Sequence, residues 1–242
     1  AIPGALALKK AVADRVAFDP IKQRFGGRIR FLISGGAALG VELAEFFHAT
    51  GLQILEGYGL TETTGAVHVN RPGRFRFGTV GPALPGVDVR IADDGEILVR
   101  GHCVMAGYHK LPAETAAVID QEGWFHTGDL GKLEAGFLRI TGRKKEMLII
   151  GGENVFPREI EEALNQHETV KASAVIGKQD DLRGEVPIAF VELEDDAEFD
   201  EKALRQHCRD ALPQYKVPKD IRLLDELPRN PTGKILRREL KA

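Results

Sequence analysis

Three short groups of residues in this chain have the types and spacing for chemistry. The first is Glu56-Gly57-Tyr58-Gly59-Leu60-Thr61-Glu62-Thr63. Tyr58 suits stacking of a purine, Thr61 a hydrogen bond to a phosphate oxygen, and Glu62 the holding of a Mg²⁺ ion. The same residues also read as a tight turn, with glycines at positive φ and Thr and Glu opening a helix. The second group is Gly128-Asp129-Leu130-Gly131. Asp129 can accept two hydrogen bonds from a ribose diol, or can satisfy its own backbone in a turn. The third is Pro228-Arg229-Asn230-Pro231-Thr232-Gly233-Lys234, which leaves a lysine on a loop. That lysine suits charge developing on oxygen atoms, and equally suits plain solvation.

The elements that must position these groups follow from periodicity. Phe31-Leu32-Ile33 reads as a short buried strand that ends in the glycine-rich Ser34–Gly40 loop. A helix follows, with Leu43, Phe46 and Phe47 at helical spacing and Gly51 just past its end. The next strand covers residues 53–55 and leads into the Glu56 group, so one βαβ unit with parallel strands is expected. Both loops then lie at the carboxyl edge of the sheet, where ligands bind in open α/β folds. Ser34–Gly40 lacks the GxxxxGK[ST] spacing of a P-loop.

From residue 71 the texture changes. Gly78, Gly81, Pro82, Pro85 and Gly86 punctuate short strands, Val87–Ile91 and Glu96–Arg100, across an Asp93-Asp94-Gly95 turn. This predicts a small antiparallel barrel or distorted sheet, with a helix from Pro112 to about Ile119. After Phe137–Thr141 comes a charged break, Gly142-Arg143-Lys144-Lys145-Glu146, then strand Met147–Ile150 and the run Gly151-Gly152-Glu153-Asn154-Val155-Phe156-Pro157. A helix with Ile160, Ala163 and Leu164 on one face leads to strands at 172–176 and 186–193. An acidic bend, a helix capped by Asp200 with Cys208 in its core face, a strand at 221–224 and a basic terminal helix complete the chain.

Composition narrows the class. The 242 residues, 43% of them hydrophobic, are enough for one or two domains with cores of their own. A formal net charge of −3 gives no basic field, so nucleic acid is not an implied partner. Cys103 and Cys208 are far apart, so neither a disulfide framework nor a zinc site is indicated. No apolar run approaches transmembrane length, and a cytoplasmic protein is expected. The chain starts with Ala1-Ile2-Pro3-Gly4 and an apolar stripe (Leu8, Ala11, Val12, Val16), the pattern of a piece of a longer protein.

Taken in order, Ser34–Leu39, Tyr58–Glu62, Gly128-Asp129, Gly142–Pro157 and Pro231–Lys234 resemble the C-terminal half of an adenylate-forming enzyme. The family is the acyl-CoA synthetase, adenylation-domain and luciferase superfamily of AMP-binding enzymes, and the resemblance covers essentially the whole chain. It implies an α/β and α+β fold in three parts. Residues 1–70 would be the end of a parallel βαβ nucleotide-binding subdomain, 71–142 a small antiparallel β-barrel-like subdomain, and 143–242 a mobile α+β C-terminal lobe.

The resemblance also implies an activity: ATP and a carboxylate give an acyl-adenylate, and the thiol of CoA then takes the acyl group. It places the adenine between Tyr58, with Gly59, and the backbone of Gly36-Ala37, with Glu56 at its amine. Thr61 resembles the α-phosphate contact, Glu62 the Mg²⁺ ligand, and Asp129 with Arg143 the ribose-binding pair. Lys234 resembles the catalytic lysine of adenylation. Lys145 resembles the pivot of the C-terminal lobe, and Gly151-Gly152 the loop that borders the pantetheine tunnel.

The family's Ser/Thr/Gly-rich phosphate loop has no counterpart in these residues, since Thr63-Thr64-Gly65 is too short and differently placed. The rest of the enzyme is therefore an expected partner, the isolated chain is expected to be inactive, and a homodimer is compatible with these expectations. Gly151–Pro157 followed by an acidic helix resembles acyl- and aryl-CoA ligases, and Phe25–Tyr58 resembles long-chain fatty acyl ligases in particular, so a fatty acid is the first expectation for the substrate and an aryl or other organic acid the second. An adenylation domain that loads a carrier-protein thiol, or a non-catalytic nucleotide-binding fragment, are the alternatives.

Overall fold

In the computed structural model, which describes residues 12–231 and 233–241, the chain falls into two compact units. One holds the described residues up to Thr127 together with Gly131–Ile140. The other holds Gly128–Leu130 together with the described residues from Thr141 onward.

The first unit begins with α1 (Asp19–Arg24), β1 (Phe31–Ser34), α2 (Val41–Ala49), β2 (Gln53–Leu60) and β3 (Gly65–Val69). β1 and β2 are parallel and Ser34 stands opposite Glu56, the expected βαβ arrangement. β2 is longer than the sequence indicates, because Gly57 and Tyr58 pair with Val69 and His68 of antiparallel β3. The Glu56 group is thus strand through Leu60, and only Thr61–Thr63 forms a single 3₁₀ turn. β4 (Val87–Ile91), β5 (Glu96–Gly101), β6 (Phe125–Glu134) and β7 (Phe137–Arg143) follow as a four-stranded sheet in that order, with α3 (Pro112–Val118) between β5 and β6. Tyr58, Val67, Ile97, Val99 and Leu138 form this unit's core cluster.

Of the predicted N-terminal stripe, Leu8 and Ala11 lie outside the described residues, and Val12 and Val16 are exposed. The expected break at Gly142–Glu146 is partly strand, since β7 runs on to Arg143 before a 3₁₀ turn at Lys144–Glu146.

The second unit is a five-stranded sheet built from β8 (Leu148–Ile150), β9 (Glu153–Val155), β10 (Val170–Asp180), β11 (Gly184–Leu193) and β12 (Asp220–Leu223). β11 is central: it pairs antiparallel with β10 and β8, and parallel with β12. Its near-continuous apolar run follows from burial on both faces. Ala189 and Val191 point into one cluster with α4 (Pro157–Leu164) and α5 (Glu201–Ala211), while Ile188 and Phe190 point into another with Leu227, Ile235 and Leu240. The predicted cap is present: the Asp200 carboxylate accepts from the backbone N–H groups of Lys202 and Ala203. The predicted terminal helix is only a 3₁₀ turn, Arg237–Glu239. Its first residue turns inward to pair with Glu161 of α4 rather than continuing an exposed basic face.

Cys208 is fully buried on α5, and burial pushes its thiol up to about 11. Because the thiolate is the reactive form, native protein is expected to react with a thiol reagent at Cys103 alone, which is half-buried. Cys208 should become labelled only on unfolding, as counted by mass spectrometry.

Candidate active site

In the first unit the Ser34–Gly40 loop and the Glu56 group meet. Glu56 Oε1 accepts from the backbone N–H of Leu39 at 3.3 Å, which ties the loop carrying the exposed Gly36-Ala37 segment to the middle of β2. Tyr58 is 8% exposed and packed with Val67, Ile97 and Leu138. Its ring therefore belongs largely to the core.

Gly59 is needed for close approach rather than for positive φ. A Cβ on Gly59 would lie 1.9 Å from the carbonyl oxygen of Gly65. β2 and β3 carry a bulge between Tyr58 and Gly59, and the backbones touch there.

Thr61 is exposed and Glu62 half-buried on the 3₁₀ turn that follows. Residues the sequence reading did not single out fix this turn. The buried Thr63 hydroxyl accepts from Leu60 N–H at 2.9 Å and lies 2.9 Å from the carbonyl of Gly65. Thr64 takes φ 61°, a left-handed conformation uncommon outside glycine, and its hydroxyl donates to the Cys103 carbonyl at 2.8 Å. The Glu62 carbonyl accepts from Met105 N–H at 2.7 Å, and its carboxylate accepts from the Tyr108 hydroxyl at 3.0 Å. Desolvation, then the hydrogen bond to Glu62 and its charge, raise the Tyr108 phenol above its ordinary value, so it stays a donor. The only local signal for Tyr108 was its residue type, since it lies 46 positions from its partner.

Opposite Tyr58 on β3, His68 is 1% exposed. Its Nδ1 lies 2.7 Å from the carbonyl of Gly81, so Nδ1 carries the proton, and the buried Nε2 has no partner among the described residues. Burial lowers its pKa from 6.5, and the Gly81 hydrogen bond only partly opposes this. Below pH 6.5 the unfolded chain binds more protons than the native one, so stability falls there. Thermal unfolding should show constant stability above about pH 7.5, a decline through the unfolded histidine's titration, and a levelling below the depressed native value. His68→Asn, whose amide can still donate to Gly81, should flatten that part of the profile.

In the second unit Asp129 of β6 and Arg143 of β7 are brought together. Asp129 is 5% exposed, and Arg143 Nε stands 3.2 Å from its Oδ1. The β8–β9 hairpin is closed by Gly151 and Gly152, both at positive φ (61° and 88°), which is the requirement of a two-residue primed turn. Lys145 is exposed on the 3₁₀ turn Lys144–Glu146.

Lys234 is exposed at the end of a hairpin turn in which Arg229 bridges Ile235; Thr232 lies outside the described residues. The Lys234 N–H donates to Asn230 Oδ1 and its carbonyl accepts from Asn230 N–H, both at 2.9 Å. Its ammonium makes no hydrogen bond or ion pair with the described residues. No cluster of three metal-ligating side chains occurs among the described residues. That is compatible with Mg²⁺, which is often held by one or two carboxylates plus phosphate oxygens and water. No helix among the described residues is long and apolar enough to cross a membrane.

Known proteins resemble this chain over most of its length. The family model described as AMP-binding enzyme matches residues 5–109, and that described as AMP-binding enzyme C-terminal domain matches residues 159–234. A long-chain-fatty-acid–CoA ligase of Bacillus subtilis is 42% identical over 226 residues, covering 88% of this chain and 40% of the relative. A sulfoacetate–CoA ligase of Cupriavidus necator is 41% identical over 235 residues, 92% of this chain and 46% of the relative. The structure of o-succinylbenzoate CoA synthetase from Bacillus subtilis with its acyl-adenylate intermediate aligns with TM-score 0.82 at 33% identity. It covers 88% of this chain and 46% of that one, so the chain spans less than half the length of these relatives. The mixed α/β and α+β fold and the two matches in sequence order have one reading: the chain belongs to the AMP-binding enzyme family.

Proposed function

We propose that this chain is the C-terminal half of an AMP-forming carboxylate–CoA ligase. The observation that carries the reading is the buried Asp129 carboxylate beside Arg143, a ribose-diol acceptor in a chain similar to CoA ligases over nearly its whole length. Residues 1–70 and 71–142 then form the nucleotide-binding and β-rich subdomains, and residues 143–242 a lobe that turns about Lys145. The remainder of the ligase supplies the phosphate loop and most of the acyl pocket.

In the first half-reaction a carboxylate oxygen of the acid forms a bond to the α-phosphorus of ATP and pyrophosphate leaves. Gly36-Ala37, Glu56, Tyr58 and Gly59 bound the adenine, and Asp129 with Arg143 holds the ribose. The exposed Thr61 hydroxyl donates to an α-phosphate oxygen, and the Lys234 ammonium lies against the oxygens on which charge gathers. Glu62, oriented by Tyr108, would hold Mg²⁺, which neutralises phosphate charge when bound. In the second half-reaction the CoA sulfur attacks the acyl carbon and AMP leaves, with the Gly151-Gly152 turn bordering the pantetheine arm.

A fatty acid is the first candidate for the acid, given the 42% identical long-chain ligase. Another organic acid is the second candidate, given the 41% identical sulfoacetate ligase. The site of action is proposed to be the cytoplasm and the assembly a homodimer, to be tested by native mass.

Asp129→Ala in the complete ligase tests the reading. Removing a charge-assisted pair of hydrogen bonds should weaken AMP binding roughly 10- to 100-fold, read by calorimetry. Unchanged AMP affinity would remove the ribose assignment. Carboxylate-dependent exchange of pyrophosphate into ATP by the complete protein, absent from the 242-residue chain alone, tests the half-reaction.

A further inference from the structure

The turn that carries Lys234 is braced from both sides by arginines that reach buried carboxylates. On its N-terminal side Arg229 donates through Nη2 to Glu192 Oε2 at 3.2 Å, and through Nη1 to the carbonyl of Gly233 at 3.3 Å. Glu192 is 4% exposed on the central strand β11, and it also accepts from Leu227 N–H at 3.2 Å and pairs with Lys171 at 2.8 Å. On the C-terminal side Arg237 grips Glu161 of α4 with two nitrogens, Nε at 3.0 Å from Oε1 and Nη2 at 2.6 Å from Oε2. Its remaining Nη1 donates to Glu146 at 3.1 Å, on the 3₁₀ turn next to Lys145. Glu161 is itself buried and accepts from the backbone of Val175 at 2.8 Å.

Two partly exposed arginines thus tie both ends of the turn of a surface lysine to buried carboxylates. An ion pair of this kind is weak evidence for stability, and registry is its best-attested use. We infer that Arg229 and Arg237 are positioning residues for Lys234: each clamps one end of its turn to the rigid sheet-and-helix core. The second clamp also ties that turn to the Lys144–Glu146 segment. The inference rests on the ligase reading only for what Lys234 does, not for where it is held.

Two readouts test it. In the chain as it stands, Arg229→Met and Arg237→Met should each speed amide exchange at Gly233 and Lys234 by tenfold or more, with Val175 and Val191 still protected. A misplacement of about 1 Å costs on the order of 100-fold in rate. In the complete ligase each variant should therefore lose about that factor in kcat for adenylation. KM for ATP should hold, and thioester formation from supplied acyl-adenylate should be spared. Arg237→Lys, which keeps the charge but loses the fork, should recover only part of the loss. Arg229→Met keeps Glu192 paired with Lys171, so it folds even if Arg237→Met does not. Unchanged exchange at the turn in Arg229→Met overturns the inference, as does unchanged adenylation in the arginine variants of a ligase in which Lys234→Ala lowers it. If Lys234→Ala itself leaves adenylation intact while the arginine variants loosen the turn, the ligase role of Lys234 fails and the clamp stands.

Discussion

Replacing Gly59 with alanine is expected to cost the first unit its fold. A methyl group at this position would lie 1.9 Å from the carbonyl oxygen of Gly65 and 2.7 Å from the Cα of Ala66. Both neighbours are backbone atoms of β3, held by the β2–β3 ladder, so neither can swing aside as a side chain would. Relief requires the strands to part at the bulge. That would uncover Tyr58 and Val67 at the centre of the core cluster. It would also break the Thr63 hydrogen bonds that fix the turn. The destabilisation should exceed about 4 kcal/mol, in the range reserved for strain or core disruption. Denaturant unfolding followed by Trp124 fluorescence checks it, because that ring is buried in the same unit. Gly151→Ala is the contrasting case. Its Cβ would meet nothing within 4 Å, so only the left-handed φ of 61° is charged against it, about 1 kcal/mol. Equal stability of Gly59→Ala and the parent chain would mean that the strands are not in contact here.

Lys234→Ala in the complete ligase is expected to lower the rate of adenylation by roughly 10²- to 10³-fold, the worth of one preorganised charge on developing oxygen charge. The fold should be indifferent. Lys234 is exposed, its ammonium bonds no described residue, and the turn is held by its backbone and by Asn230. Substitutions of that kind usually stay within about 0.5 kcal/mol. Thioester formation from supplied acyl-adenylate should survive, since the phosphoryl chemistry is then complete. Quenched-flow measurement of each half-reaction separates the two. An equal loss in both, or none in adenylation, would remove the catalytic role proposed for this lysine.

Much of the architecture was legible in the chain because it rests on local periodicity. The parallel βαβ start, the 93–95 turn, the Asp200 cap and the core face with Leu204 and Cys208 all follow from spacings of two or about four, and from turn chemistry. The boundaries that went astray did so where a distant partner decided them. β2 continues through Gly57 and Tyr58 because β3 lies alongside, and no residue within β2 announces that partner. The terminal basic segment reads as helix by composition. It is one 3₁₀ turn, and its Arg237 pairs with a carboxylate 76 positions earlier that no local pattern announces.

The candidate site divides along the same line. Residue type and spacing singled out Tyr58, Thr61, Glu62, Asp129 and Lys234, since the chemistry they offer belongs to the side chains themselves, while Glu56 and Arg143 entered with the family resemblance. Only tertiary structure could show what holds them. Asp129 meets Arg143 because adjacent strands bring them together, Glu62 takes its orientation from Tyr108, and the Lys234 turn is gripped by Glu192 and Glu161. Likewise only the structure shows that Gly59 is glycine for want of space rather than for backbone freedom, and that Tyr58 is mostly core. The identity of a functional group is written in one residue, whereas its position depends on contacts between residues far apart in the chain. Such contacts carry no local signal, because nothing in the spacing of one segment encodes the side chain that another will bring to it.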